Sequence, residues 1–151
     1  MIKIICVGKI KEKYFKDAIL EYQKRISKYT KLEIIEVDDI CCQSSTIIKQ
    51  KEAELLKRYI TDKDYVITLE IEGKLLNSLE LSKKISETLI INSNIIFVIG
   101  GSYGLDDGIK KRSNFALSFS TLTFPHQLFR IILLEQIYRS YKIINNESYH
   151  K

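Results

Sequence analysis

Two segments decide the fold of this chain: Ile-Gly-Gly-Ser-Tyr-Gly-Leu at residues 99–105 and Leu-Thr-Phe-Pro-His-Gln-Leu-Phe-Arg at residues 122–130. The first begins at the last residue of an apolar run at residues 95–99, and the second opens a long apolar helix. Irregular loops marked by glycine or proline, at the C-terminal ends of predicted strands, are typical of an α/β sheet that binds a ligand there. We therefore expect the functional site at these two loops.

Outward from these loops, the hydrophobic pattern predicts strands that alternate with helices. The predicted strands are Ile2–Val7, Leu32–Val37, Tyr65–Ile71, Ile95–Ile99 and Ala116–Phe119, and the predicted helices are Glu12–Tyr29, Ser45–Tyr59, Ser78–Leu89, Leu105–Ser113 and Pro125–Ile143. Such alternation over short links predicts an α/β fold with a mostly parallel sheet and helices on both faces. The length suits a single domain, residues 1–151.

Composition excludes several classes of protein. Hydrophobic residues make up 45% of the chain and charged residues 28%, which is ordinary for a folded domain and excludes disorder as the main state. No apolar stretch reaches the ~18 residues of a membrane span, and the N-terminal apolar run is too short for a signal peptide. The three cysteines, Cys6, Cys41 and Cys42, form neither a disulfide framework nor a metal-binding spacing. We expect a cytoplasmic protein with no metal and no membrane contact.

Positive charge is concentrated at the N-terminus. Residues 1–30 hold eight basic and three acidic side chains, so this segment alone carries +5, the formal charge of the whole chain. On the first predicted helix, Lys13, Lys16, Lys24 and Lys28 occupy about a third of the circumference at 100° per residue. Such a stripe is either a solvated surface or a site for a polyanion such as RNA.

The glycine loop at residues 99–105 has two interpretations. Gly100, Gly101 and Gly104 would let the backbone turn with positive φ and let a ligand approach without a Cβ in the way. Alternatively, they serve only a tight turn between strand and helix. No Gly-Lys-Ser/Thr follows, and no dinucleotide fingerprint follows the first strand, which disfavours ATPase and NAD-dependent functions.

The second loop carries a histidine and an arginine one helical turn apart. His126 and Arg130 share a face near a helix N-terminus, and that arrangement suits an anion or a nucleobase. Spacing alone also allows a surface or capping role for His126. It equally allows an ion pair of Arg130 with Asp106, Asp107 or Glu135.

Taken together, these motifs resemble a known family. They include the segments 99–105, 117–118 and 122–126, then Arg130, Glu135-Gln136-Ile137-Tyr138-Arg139 and the closing Tyr149-His150-Lys151. Over essentially its whole length, the chain resembles the small bacterial SPOUT (α/β-knot) methyltransferases that modify nitrogen-3 of a pseudouridine in 23S ribosomal RNA. It departs from the family pattern at Tyr103, where proline or asparagine is usual, and at Phe119.

The resemblance implies a cofactor, an assembly and a partner. The fold would end in a C-terminal trefoil knot that binds S-adenosyl-L-methionine, in a homodimer that acts on 23S ribosomal RNA or the ribosome and not on DNA. The residues implied as cofactor contacts are Leu69, Gly100, Phe119, Ser120, Thr121, Leu122, Thr123 and Phe124. Both loops would then form one pocket.

Methyl transfer to an imide nitrogen also needs a route for the nitrogen's proton. With the family resemblance, we predict that His150 accepts this proton and that Arg130 stabilises charge on a uracil carbonyl. Tyr149 would offer an aromatic surface to the base, and His126 would shape the pocket. Without the resemblance, the closing residues 149–151 would be interpreted as a frayed end.

The last predicted helix is apolar on almost every side between residues 128 and 144. A central core helix explains much of this pattern, but a domain this small has few elements to cover it, so we predict a subunit interface. Two other functions stay open: a non-catalytic RNA- or ribosome-binding protein, and another nucleotide-binding α/β enzyme of flavodoxin-like type. Binding of S-adenosylmethionine would separate the methyltransferase from both.

Overall fold

One parallel sheet of five strands forms the centre of the computed structural model, which describes residues 1–151. The strands are β1 (Ile2–Val7), β2 (Leu32–Val37), β3 (Tyr65–Leu75), β4 (Ile95–Ile99) and β5 (Phe115–Ser118), and the helices are α1 (Lys13–Ile26), α2 (Ser45–Lys57), α3 (Ser78–Ile91), α4 (Asp107–Arg112) and α5 (His126–Ile144). The strands lie in the order β2-β1-β4-β3-β5, and every neighbouring pair is parallel. The predicted α/β fold is confirmed, while the trefoil knot stays a prediction.

The core lies in two layers because side chains alternate across each strand. On β1, Ile2, Ile4 and Cys6 join the cluster formed with α1, α3 and α5, whereas Ile5 and Val7 join the cluster formed with α2 and α4. All five residues of β4 are buried, as its continuous apolar run predicts for a strand covered on both faces. Helices therefore cover both faces of the sheet.

The helix starts show how local polar groups set the boundaries. Asn77 caps α3: its side chain accepts the Glu80 N–H at 2.9 Å, and the Glu80 carboxylate accepts the Asn77 N–H at 2.8 Å. This reciprocal capping box satisfies two amide groups that the helix itself leaves free. In the same way, Ser44 caps α2 by accepting the Ile47 N–H.

Strand β3 runs four residues beyond its predicted end and carries a bulge. Leu69 pairs with Leu117 of β5, and the pairing resumes with Lys74 opposite the same residue, so residues 70–73 are displaced from the ladder. A Cβ at Gly73 would lie 2.6 Å from the carbonyl carbon of Leu117, so only glycine fits this approach. The bulge places residues 70–72 at the C-terminal edge of the sheet.

Helix α5 packs between α1 and α3. Leu133, Leu134 and Ile137 are fully buried there, and Tyr141 stacks on Tyr29 with ring centroids 5.7 Å apart. Much of its apolar surface is thus covered within one chain, in line with a core helix, while Leu128 stays 37% exposed. None of the five helices combines the length and apolar composition that crossing a membrane requires.

Candidate functional site

The two loops singled out in the sequence converge at the C-terminal edge of the sheet, around a cavity of about 440 Å³. The β3 bulge supplies a third wall. Seven of the eight residues predicted to bind a cofactor line this cavity: Leu69, Gly100, Phe119, Ser120, Leu122, Thr123 and Phe124. The eighth, Thr121, is exposed and does not line it.

The glycine loop is a tight turn whose glycines serve different purposes. The Gly104 N–H donates to the Gly101 carbonyl at 3.0 Å, and Gly104 has a φ of +79°. Gly100 and Gly101 do not have positive φ, so that part of the sequence interpretation was wrong. They are needed for close approach instead, since a Cβ on Gly100 would lie 2.9 Å from the Gly104 carbonyl carbon and one on Gly101 2.7 Å from Glu52 Oε2.

The opposite wall is held by hydroxyl groups and aromatic rings. Ser120 Oγ accepts the Leu122 N–H at 3.0 Å, which fixes the turn after β5. Phe119 and Phe124 pack against Phe129 of α5, with ring centroids 5.2 and 5.9 Å apart. This wall therefore presents aromatic rings to the cavity beside Ser120 and Thr123, and it is anchored on the first turn of α5.

Acidic side chains line the third wall. Glu70 accepts a hydrogen bond from Thr68 Oγ1 at 2.6 Å and lies 3.6 Å from the Lys110 ammonium group. Glu72 lies beside it on the bulge. Sequence reasoning missed both carboxylates because they become wall residues only through the displaced register of β3.

His126 lies where the cavity meets a second, smaller one, and it lines both. Burial of the imidazole lowers its pKa, and the positive charge of Arg130 lowers it further. At neutral pH the ring is therefore uncharged, able to accept one hydrogen bond and donate another.

Arg130 is 2% exposed and fixes the end of β1. Its Nη1 lies 2.6 Å from Glu36 Oε1, and its Nη2 donates to the carbonyl oxygens of Val7 and Gly8 at 2.8 and 2.6 Å. The alternative partners considered from spacing, Asp106, Asp107 and Glu135, were wrong. No local signal identifies Glu36, because it lies 94 positions away in the chain.

The C-terminal residues pack on the middle of α5 rather than beside the cavity. Tyr149 donates to Glu135 Oε1 at 3.1 Å, and its ring meets Tyr138 edge-on at 5.0 Å. His150 Nδ1 lies 3.4 Å from Arg139 Nη1. Arg139 lies 13 residues from the start of α5, which is about 20 Å along the helix. Tyr149 and His150 therefore do not reach the cavity of their own chain.

Comparison with known proteins identifies the family. A sequence profile described as predicted SPOUT methyltransferase matches residues 1–150. The chain belongs to the SPOUT methyltransferase family. It is 55% identical to a protein of Finegoldia magna and 52% identical to one of Clostridium botulinum (strain Alaska E43), each over 157 aligned positions and 99% of both chains. Both relatives are named ribosomal RNA large subunit methyltransferase H.

A solved structure supports the fold. It is titled as the structure of a probable methylase family protein from Haemophilus influenzae Rd KW20, and it superposes with a TM-score of 0.59 at 12% identity. The match covers 99% of this chain and 70% of the other. At this identity the likeness concerns the fold alone.

A SPOUT methyltransferase needs a site for a methyl donor, and the larger cavity has the size and lining for one. Pockets for small molecules typically enclose about 300–1,000 Å³ and combine apolar walls with a few polar groups, as this cavity does. Nowhere in the chain do three or more His, Cys, Asp or Glu side chains converge as a metal ion would require.

Proposed function

We propose that this SPOUT methyltransferase transfers a methyl group from S-adenosyl-L-methionine to nitrogen-3 of a pseudouridine in large-subunit (23S) ribosomal RNA. The observation that carries the proposal is the convergence of the glycine turn, the β5–α5 loop and the β3 bulge on one cavity. The names of the 52–55% identical relatives support ribosomal RNA as the substrate.

The cavity suits this donor in both shape and charge. Phe119, Phe124 and Leu117 offer an apolar slot for an adenine ring, and the turn at residues 100–104 brings bare backbone close to it. Glu70 and Glu72 supply negative charge for a ligand with a sulfonium and an ammonium group. When bound, S-adenosylmethionine supplies an electrophilic methyl group.

The protein must also hold the base and take up the proton of nitrogen-3. An uncharged imidazole can accept that proton, and His126 lies at the junction of the two cavities in the same chain. His150 can accept the proton only in the cavity of another chain, because the cavity of its own chain lies about 20 Å away along α5. We retain both as candidates and place Arg130 behind the site, where it fixes Gly8 and the end of β1.

We propose a homodimer in which Tyr149 and His150 reach the cavity of the partner copy. The part-exposed residues of α5, among them Leu128 and Ile131, support such an interface. In this arrangement the C-terminal residues of each copy would complete the active site of the other. We expect it to act in the cytoplasm, where ribosomes are found.

Two measurements test the proposal. Calorimetric titration with S-adenosylmethionine should show binding, and mass analysis of 23S ribosomal RNA from a deletion strain should show the loss of one methyl group on a pseudouridine. Purified protein should restore that methyl group on ribosomes from the same strain, and comparison with free RNA and isolated subunits would identify the preferred substrate. Ribosome binding without cofactor binding would instead support a non-catalytic ribosome-binding protein, and a copurifying phosphate cofactor would support a nucleotide-binding enzyme.

A further inference from the structure

A second cavity of about 210 Å³ adjoins the first. The two share Gly101, Ser102, Tyr103 and His126 as a common wall, so a single turn and one side chain separate them. The second cavity is half the volume of the first. A small ring bound in it would lie against the wall of the methyl-donor cavity.

Glu52 of α2 projects into this second cavity, although it is only 4% exposed. Its Oε1 accepts the Ile40 N–H at 3.3 Å, whereas its Oε2 has no donor in the chain. Gly101 faces this oxygen so closely that a Cβ there would lie 2.7 Å from it. Burial raises the pKa of this carboxyl, with a further contribution from the charge of Asp39.

This carboxylate oxygen is accessible from the cavity and has no donor within the chain, so a ligand in the cavity that supplies an N–H would complete its hydrogen bonding. The cavity is lined by lysines as well as by Asp39 and Glu52. Lys9 and Lys11 lie on it, and both belong to the segment that carries the excess positive charge. A nucleotide base that enters beside these lysines would have its phosphates on the basic side.

Pseudouridine carries the N–H that this site lacks. Its ribose is joined to carbon-5, so nitrogen-1 keeps a hydrogen, whereas in uridine nitrogen-1 is bonded to the ribose. Nitrogen-1 and nitrogen-3 flank the same carbonyl group. A ring can therefore direct nitrogen-3 toward the methyl-donor cavity and nitrogen-1 toward another side of its pocket.

We propose, on the basis of the proposed function, that the second cavity holds the target base and that the Glu52 carboxylate accepts the N1–H of pseudouridine. Glu52 is then a specificity-determining residue: it distinguishes pseudouridine from uridine by a hydrogen bond that uridine cannot make. Sites built around such a bond discriminate strongly, because the analogue without the donor covers the acceptor and leaves it unpaired.

The test compares two ribosome preparations that differ only in the target nucleotide. One carries pseudouridine there, and the other carries uridine because its source strain lacks the pseudouridine synthase for that position. For the wild-type protein we expect kcat/KM to be at least ~10²-fold higher on the pseudouridine ribosomes. Equal rates on the two preparations would overturn the proposal without any variant.

Glu52→Gln tests the residue itself. The amide oxygen of glutamine would accept the Ile40 N–H, which leaves the NH₂ group directed at the base. This NH₂ group and the N1–H of pseudouridine are both donors, so no hydrogen bond can form between them. We expect the rate on pseudouridine ribosomes to fall by roughly 10²-fold and the rate on uridine ribosomes to stay within about threefold, so that the preference disappears. Glu54→Gln, the same change at an exposed position of α2, should keep the preference.

The affinity for S-adenosylmethionine and the melting temperature verify that each variant is folded. If Glu52→Gln binds the cofactor and keeps the wild-type preference, Glu52 does not recognise the base, while the proposed function stands. If wild-type protein methylates neither preparation, the proposed function fails and the assignment of Glu52 fails with it.

Discussion

Arg130 is the residue for which sequence and structure suggest different roles. A catalytic guanidinium must reach the substrate, yet this one is 2% exposed and bound to Glu36 and two carbonyl groups. We predict that Arg130→Met lowers the free energy of unfolding by about 3–5 kcal/mol, because it leaves the Glu36 carboxylate without its cationic partner and the carbonyl groups of Val7 and Gly8 without their donor. Urea unfolding followed by circular dichroism measures this loss.

The control for that prediction is an ion pair on the same helix whose arginine is more exposed. Arg139 lies 2.6 Å from Glu135, and their side chains are 25% and 20% exposed. Replacing Arg139 by methionine should cost about 1 kcal/mol or less. If Arg130→Met were no more destabilising than Arg139→Met and yet abolished methyl transfer, Arg130 would act directly on the substrate.

His126 should make stability depend on pH. Burial holds its pKa below the ordinary value of 6.5, so on acidification the unfolded chain binds a proton at this site before the folded chain does. The free energy of unfolding should therefore fall as the pH drops through about 6.5, and His126→Gln should show a smaller fall between pH 7.5 and 5.5. Paired urea titrations at the two pH values, with the exposed His150→Gln as control, measure the difference. Identical pH dependence in His126→Gln and wild type would contradict this account.

Among the elements, the β3 bulge forms a wall of the site through one glycine. In Gly73→Ala the added carbon would meet the backbone of Leu117 and Ala116, neither of which can rotate away as a side chain can. We expect a loss of ~1–3 kcal/mol in stability and weaker binding of S-adenosylmethionine, because the displaced bulge carries Glu70 and Glu72. Thermal unfolding and calorimetric titration measure the two effects.

Gly108→Ala is the matched control for the bulge. Its added carbon meets only the side chains of Asp106 and Lys57, which can adjust. Cofactor affinity should stay close to wild type. A Gly73→Ala variant with wild-type affinity would show that the bulge does not shape the cavity.

The C-terminal segment gives the second prediction at this scale. Deletion of residues 149–151 removes the Tyr149 contacts with Glu135 and Tyr138 but no fully buried residue, so stability should change little. If these residues complete the partner's site, methyl transfer on ribosomes should fall by about 10²–10⁴-fold while cofactor affinity is kept. Single-turnover methylation and calorimetry separate the two effects.

Mixing two inactive variants tests whether the segment acts across the dimer. A chain without residues 149–151 keeps its cavity, and Gly100→Val keeps its C-terminal segment but distorts the glycine turn. Mixed dimers would contain one complete site, so activity should return on mixing. A mixture that stays inactive, with dimer exchange verified, would exclude the contribution in trans.

For the whole molecule, the relevant property is the distribution of charge. Lys13, Lys16, Lys24 and Lys28 are all exposed, and none forms an ion pair. Changing the four to glutamine should weaken ribosome binding and flatten its salt dependence by about 0.7–0.9 in the log–log slope for each phosphate that the protein no longer neutralises. Filter binding at several salt concentrations measures the slope. Glutamine at Lys49, Lys51, Lys57 and Lys63 removes the same charge elsewhere, and an equal effect there would argue against a specific stripe.

Local rules accounted for the elements but not for their arrangement. Apolar periodicity predicted all ten, and the resemblance predicted seven of the residues that line the larger cavity. Strand order, the Arg130–Glu36 pair and the β3 bulge depend on contacts between distant parts of the chain, which no local pattern encodes. Glu52 could have been singled out from the sequence, since it lies between Ile48 and Leu56 on the apolar face of α2. A carboxylate on such a face indicates a function other than core packing.

The position of β1 has a consequence for how the protein is made. β1 is the first strand to be synthesised, yet one of its two neighbours is β4, and the Met1 carbonyl accepts the Ile95 N–H at 3.1 Å. At roughly 5–20 residues per second, the ribosome needs roughly 5–20 seconds to proceed from the end of β1 to the end of β4. During that interval one edge of a strand that is apolar at every position except Lys3 has no partner. Nascent chains in which β4 has not yet emerged from the ribosome should therefore bind chaperones, and release from them should coincide with the emergence of β4.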